Sequence, residues 1–308
     1  YMESIPVKEV IHTPAGETVL DFGQNFAGHV VCTQPIPNGT AMTLEFGEVL
    51  QNGNFYHENY RHAESKFTYV SDGIHREIRP RFTFFGFRYV KVSGLERVDA
   101  ACFEGRAIYS EMDRTGFIRT GNEKINRLFS NSLWGLKSNF LDIPTDCPQR
   151  DERLGWTGDA QVFSTTAGFH MDTRAFYRKF LRDLRSDQQR NNGAAAIYLP
   201  NAFPGLCAGI WSDAATFIPK MLYDYYGSKT QLEENYPLMK DWVDYIFRAD
   251  CARGRRNLYD FGFQFGDWLA LDGSTRVKLG ILGFSKDIQI SRSSAILFSF
   301  SSILLRME

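Results

Sequence analysis

From about residue 8 to residue 110 hydrophobic and polar positions alternate with period two. Short β-rich runs, Thr18-Val19-Leu20-Asp21-Phe22, Thr40-Ala41-Met42-Thr43-Leu44-Glu45-Phe46, Lys66-Phe67-Thr68-Tyr69-Val70 and Phe87-Arg88-Tyr89-Val90-Lys91-Val92, are divided by turn signals at Pro37-Asn38-Gly39 and Ser71-Asp72-Gly73. Strands of this kind turn every second side chain to one face, so the segment predicts an antiparallel, jelly-roll-like β-sandwich over residues 1–111.

Near residue 112 the period changes to 3.6. Thr120-Gly121-Asn122-Glu123 reads as a capping box, and Ile125, Leu128, Phe129, Leu133 and Leu136 give the helix after it one apolar face. Further helices are expected at 159–169, 173–188, 213–226 and 229–249, joined by long polar, glycine-containing loops at 140–158, 189–212 and 250–273. Connections of that length argue against an ordinary bundle and suggest an α/α toroid with its site at one rim. The residues from Ser274 to Glu308 depart from this pattern. They are rich in serine and contain the apolar run Ala295–Leu305, shorter than the roughly 18 residues that span a bilayer. This tail is expected to be either a buried terminal element or sequence foreign to the domain.

Composition narrows the partners. A formal charge of −1 with both signs interspersed removes the electrostatic case for nucleic acid or an anionic membrane surface, and favours a small neutral ligand. Trp134, Trp156, Trp211, Trp242 and Trp268 all follow residue 112, where they are either core or stacking surfaces for a sugar ring. Cys32, Cys102, Cys147, Cys207 and Cys251 form an odd set without close spacing, so neither a disulfide framework nor a zinc site is expected. His12, His29, His57, His62 and His75 are scattered without ligand spacing, and no glycine-rich phosphate loop follows a strand. No metal or cofactor is therefore expected. A chain that starts at Tyr1 reads as a processed or excised piece, which leaves cytoplasm and periplasm both open, and a homo-oligomer is compatible with this composition.

The densest chemistry lies at Asp146-Cys147-Pro148-Gln149-Arg150-Asp151-Glu152-Arg153-Leu154-Gly155-Trp156-Thr157-Gly158-Asp159. Pro144 and Pro148 favour extended backbone and Gly155 and Gly158 permit turns, so these side chains project from a shaped loop. Asp159 is either part of a polar site or the cap of the next helix. Glu152 is either one member of a salt-bridged surface or a carboxyl group whose pKa is raised in a partly dry pocket, as a general acid requires.

The fourteen residues from Asp146 to Asp159 resemble the signature of the bacterial α-L-rhamnosidases, glycoside hydrolase family 78. Asp21-Phe22-Gly23-Gln24-Asn25-Phe26-Ala27-Gly28 resembles the motif of the β-sandwich that precedes the catalytic domain there, and Trp211-Ser212-Asp213-Ala214 and Gly266-Asp267-Trp268 resemble later rim motifs. The resemblance implies an (α/α)6 six-hairpin domain that removes terminal α-L-rhamnose from glycosides or oligosaccharides with inversion, residues 112–273 being its N-terminal part. It implies Glu152 as general acid. Asp146, Arg150, Asp159, Asp213 and Asp267 would hold the sugar, and Trp156, Trp211 and Trp268 would wall it. Inversion sets an acid and a base on opposite faces of the sugar, about 6.5–9.5 Å apart. The family's base is a glutamate well downstream of Gly-Asp-Trp, and nothing in 274–308 resembles it. The expectation is a C-terminally truncated chain whose tail is out of frame or accidental. Such a chain is either inactive alone, a rhamnoside-binding remnant, or a six-hairpin glycosidase for another sugar.

Overall fold

The structure is a computed structural model that describes residues 1–74, 76–255, 257, 259 and 261–265. The tail at 274–308 and the Gly266-Asp267-Trp268 motif lie outside the described residues. The chain divides into two compact units, one from Tyr1 to Arg153 and one from Leu154 onward.

The first unit is built on an antiparallel sheet. Its strands are β1 (Glu3–Pro6), β2 (Glu9–His12), β3 (Thr18–Cys32), β4 (Ala41–Gly47), β5 (Val49–Gln51), β6 (Asn54–Tyr56), β7 (Lys66–Val70), β8 (Phe85–Ser93) and β9 (Phe103–Ala107). Seven of them pair in the order β1-β9-β3-β8-β4-β7 with β2 also on β3, while β5 and β6 form a separate hairpin. The expected alternation is visible in β4, where Met42, Leu44 and Phe46 are buried and the residues between them are not. Strand β3 carries an irregularity between Asp21 and Phe26. It lets Phe22 and Phe26 both face the core, against Phe87 at ring separations of 5.7 and 4.5 Å. At its edge the buried Asp21 carboxylate accepts both arms of Arg88 at 2.8 Å and the Gly23 amide at 2.6 Å. Burial acts to raise the pKa of Asp21, but these donors outweigh it and hold the group below the usual carboxylate range.

Helix α1 (Glu123–Asn139) ends this unit together with the hairpin of β10 (Phe140–Leu141) and β11 (Ile143–Pro144). The capping box is not formed. Asn122 caps the helix by accepting the Lys124 amide at 3.0 Å, and the Thr120 hydroxyl accepts the Asn122 amide instead. The apolar face is also shorter than expected: Leu133 and Leu136 are buried and Trp134 packs on the sheet's core, while Ile125 and Leu128 are exposed. Because the C-terminal half of α1 packs on β3, the first unit extends past the change of period at residue 112, to Arg153.

The second unit contains β12 (Gly155–Trp156), α2 (Thr157–His170), α3 (Arg174–Arg190), β13 (Tyr198–Leu199), α4 (Ala214–Tyr226) and α5 (Lys229–Cys251). These helices fall within two residues of the predicted bounds. Their core is the 3.6-period set Phe180, Leu181 and Leu184 of α3, Ile218 and Leu222 of α4, and Met239, Trp242 and Ile246 of α5. Two ends have local causes: Gly227 stops α4 at a φ of +63°, and the Ser228 hydroxyl caps α5.

Candidate active site

Every charged residue of the acid-rich loop as far as Arg153 belongs to the first unit. The loop begins where Thr145 donates from its amide and hydroxyl to the Asn139 carbonyl, at 2.9 and 3.1 Å, tying it to the end of α1. It then packs against β8, which lies between β3 and β4 in the sheet. A Cβ on Gly86 of β8 would stand 3.0 Å from Pro148 and Gln149, so only glycine lets the loop approach this closely. Tyr60 is buried behind it and donates to the Gly86 carbonyl at 2.7 Å. At the far end the Arg153 guanidinium donates to the Phe84 carbonyl at 2.8 Å and covers the Phe84 ring.

This packing brings Asp146, Arg150 and Glu152 together. Arg150 Nη2 donates to Glu152 Oε2 at 3.1 Å and lies 3.6 Å from Asp146. A second cation comes from the sheet unit: Arg61 Nη1 donates to Glu152 Oε1 at 2.9 Å and lies 3.9 Å from the exposed Asp151. The Glu152 carboxyl is lowered to about 2, first by its hydrogen bond with Asp146 and then by Arg61 and Arg150, against a desolvation that acts the other way. Of the two expectations for Glu152, the geometry of the free protein favours the salt-bridged one: beside Asp146, two guanidinium groups converge on a carboxylate that is only partly buried. Asp146, Cys147 and Glu152 bring three donor atoms within 4.8 Å of one another. This set suits hydrogen bonding better than a metal ion, because burial holds Cys147 as a thiol, its pKa pushed up to about 11, and the carboxylates already face guanidinium groups.

In the second unit the Trp156 and Trp211 side chains are half-buried around Phe265, at ring separations of 5.9 and 4.3 Å, with Tyr198 4.9 Å from Trp156. Gly158 allows the Trp211 ring to lie against α2, since a Cβ there would stand 2.7 Å from the indole. Asp159 is exposed in the first turn of α2 and does not cap it; the helix starts earlier, at Thr157. The expectation that Asp213 holds substrate needs correction. Its carboxylate is buried, and both oxygens are taken by internal donors, the Trp242 indole at 2.9 Å and the Ile210 amide at 2.7 Å. Burial raises its pKa to about 6 against the effect of those two bonds. Asp213 thus fixes the turn before α4, where Ile210 sits at a φ of +72°. Asp267 and Trp268 lie outside the described residues.

The profile of the bacterial alpha-L-rhamnosidase 6 hairpin glycosidase domain matches residues 113–281, more than half of the chain. The chain belongs to the bacterial α-L-rhamnosidase family. Residues 11–109 match the concanavalin-like domain of the bacterial alpha-L-rhamnosidases, so a concanavalin-like β domain followed by six-hairpin glycosidase sequence is the architecture. An alpha-L-rhamnosidase of Alteromonas sp. (strain LOR) is 36% identical over 307 residues, covering 94% of this chain and 33% of that protein. One from Formosa agariphila is 38% identical over 268 residues, covering 85% and 28%. Among solved structures, native α-L-rhamnosidase from Aspergillus terreus superposes with a TM-score of 0.85 at 34% identity over 99% of this chain and 36% of that one. The Streptomyces avermitilis α-L-rhamnosidase complexed with L-rhamnose gives 0.84 at 33% identity, over 98% and 29%. The chain spans between about a quarter and a third of the length of the curated relatives it matches.

Two residues near the loop of this rhamnosidase-family chain escaped the sequence reading. Arg61 is a lone arginine between Tyr60 and His62, 91 residues from Glu152, and no local pattern marks it. Glu48 accepts from Asn25 at 2.8 Å and also meets Gln149 and Arg150, its pKa raised by burial. Asn25 belongs to the family-like motif of β3, so Glu48 joins that motif to the acid-rich loop. Both motifs were legible separately; their link was not.

Proposed function

We propose that this chain contributes the acid half of an inverting α-L-rhamnosidase that removes terminal α-L-rhamnose from glycosides or oligosaccharides. Glu152 is the general acid, giving its proton to the leaving glycosidic oxygen while a base on the opposite face of the sugar activates water. Asp146 and Arg150 hold sugar hydroxyls, and Asp159 supports them. The Arg150 Nε is buried with no hydrogen-bond partner among the described residues, and a sugar hydroxyl would satisfy it. Trp156 and Trp211 supply apolar faces suited to the C5 methyl and ring of a deoxy sugar; Asp267 and Trp268 are proposed as further sugar-holding residues. No base is assigned to this chain.

The observation that carries this reading is the convergence of Asp146, Arg150 and Glu152 in a chain of the rhamnosidase family. Its test is incubation of the chain with an aryl α-L-rhamnoside, with the first-formed anomer followed by proton NMR. The expected result is β-L-rhamnose, with release lost in Glu152→Gln. Release unchanged by that substitution, or a first-formed α anomer, contradicts it. An aryl fucoside or glucoside cleaved faster than the rhamnoside would assign a different sugar. The double guanidinium clamp on Glu152 favours a second reading, rhamnoside binding without turnover, and calorimetric binding of rhamnose with no hydrolysis would support that one.

A further inference from the structure

Both oxygens of Glu152 carry a guanidinium, yet a general acid needs a proton on one of them, so one cation has to withdraw before reaction. The two arginines are not equally held. Arg150 is on the same short loop as Glu152, faces Asp146 at 3.6 Å as well, and is near Glu48. Arg61 belongs to another element, with 49% of its side chain exposed, and its remaining anionic neighbour is the exposed Asp151 at 3.9 Å. Its backbone has a φ of +58°, directly after the turn Glu58–Tyr60, and its amide is held by a long bond of 3.4 Å to the Glu58 carbonyl. A non-glycine residue at such a φ stores strain, and strain of this kind gathers at switching positions.

We propose, building on the assignment of Glu152 as the acid, that Arg61 is a positioning residue from the β domain that latches the Glu152 carboxylate in the free protein and releases it when substrate enters. On release the carboxylate takes up one proton from solvent. That proton passes to the glycosidic oxygen as its bond to the sugar breaks, and the re-formed carboxylate accepts Arg61 again. The other groups facing Glu152 are Asp146, the Cys147 thiol at 3.9 Å and Arg150. All three are on its own loop, whereas Arg61 reaches in from a separate turn with half its side chain exposed, so Arg61 is the partner that can leave without moving the loop.

The test uses the full chain labelled with carboxyl-13C glutamate, the Glu152 resonance being assigned by its loss in Glu152→Gln. In the wild type, Asp146 and the two guanidinium groups are expected to hold the carboxyl ionised well below the usual carboxylate range. Arg61→Gln is expected to move its midpoint up by about one pH unit or more, and Arg61→Lys to restore most of the difference. A midpoint unmoved in Arg61→Gln, with the resonances of the sheet unchanged, overturns the latch. Kinetics with an aryl rhamnoside separate a latch from a structural prop, since kcat/KM reports ionisations of the free enzyme and kcat those of the bound complex. The alkaline limb of kcat/KM should shift upward in Arg61→Gln while that of kcat stays; equal shifts in both overturn the proposal. Absence of hydrolysis by the wild-type chain counts against the hydrolase assignment, whereas the titration decides the latch independently.

Discussion

Burial of a neutral His29 should make the β domain sensitive to mild acid. It lies on β3 opposite Arg106 of β9, with a relative exposure of 6%, and its Nε2 is buried without a hydrogen-bond partner among the described residues. Burial first, then the charges of Arg79 and Arg106, lower its pKa from 6.5 to about 4. The unfolded chain therefore takes up a proton as pH falls below 6.5, while the folded chain does not until about 4. Stability falls across that window and is unaffected by this group above it. The full gap is worth about 3.4 kcal/mol at 1.36 kcal/mol per pH unit, and about 2.5 kcal/mol is already lost at pH 4.5. Replacing His29 with Gln removes the titration. Opening free energies of β3 amides, from hydrogen exchange corrected for intrinsic rates, should be nearly parallel for the two proteins from pH 8 to 7. The wild type should then lose about 2–3 kcal/mol relative to His29→Gln by pH 4.5. A difference that stays constant from pH 8 to 4.5 would refute the burial of a neutral His29.

Gly86→Ala puts a methyl group 3.0 Å from Pro148 and Gln149, so the loop must give by a few tenths of an ångström; since about 1 Å of misplacement costs up to about a hundredfold, kcat/KM for an aryl rhamnoside should fall by about two- to tenfold at unchanged fold by circular dichroism. Tyr60→Phe leaves the Gly86 carbonyl without its 2.7 Å donor and should destabilise the first unit by about 1–3 kcal/mol, read from the exchange of β8 amides. Gly158→Ala forces the Trp211 indole away from α2, at about 1–3 kcal/mol of overpacking, and should red-shift tryptophan emission if the ring leaves Phe265.

The elements that were legible in the sequence are those whose burial is decided locally. Strands β4 and β7 and helices α3 to α5 have uninterrupted alternation or 3.6-residue spacing, and their ends carry turn or cap residues such as Gly227 and Ser228. Helix α1 shows the limit. Its apolar positions are evenly spaced, but of these only Leu133 and Leu136 are buried, and Trp134, outside the predicted face, is the one that packs on the sheet's core, because contact with β3 decides which turn is covered. The same limit separates the chemistry at Asp146–Asp159 from its electrostatics. The residue types were readable in the run itself, whereas the second cation on Glu152 comes from Arg61, 91 residues earlier, and the role of Asp213 is set by Trp242, 29 residues later.

General acid catalysis by Glu152 is tested most directly by leaving-group dependence. Rates of Glu152→Gln and wild type should be compared on an alkyl α-L-rhamnoside, whose leaving oxygen needs a proton, and on a dinitrophenyl α-L-rhamnoside, whose leaving group does not. If Glu152 supplies the proton, the variant should lose about 10²–10⁴-fold on the alkyl substrate and far less on the dinitrophenyl one. Equal losses on both substrates would contradict its role as the acid.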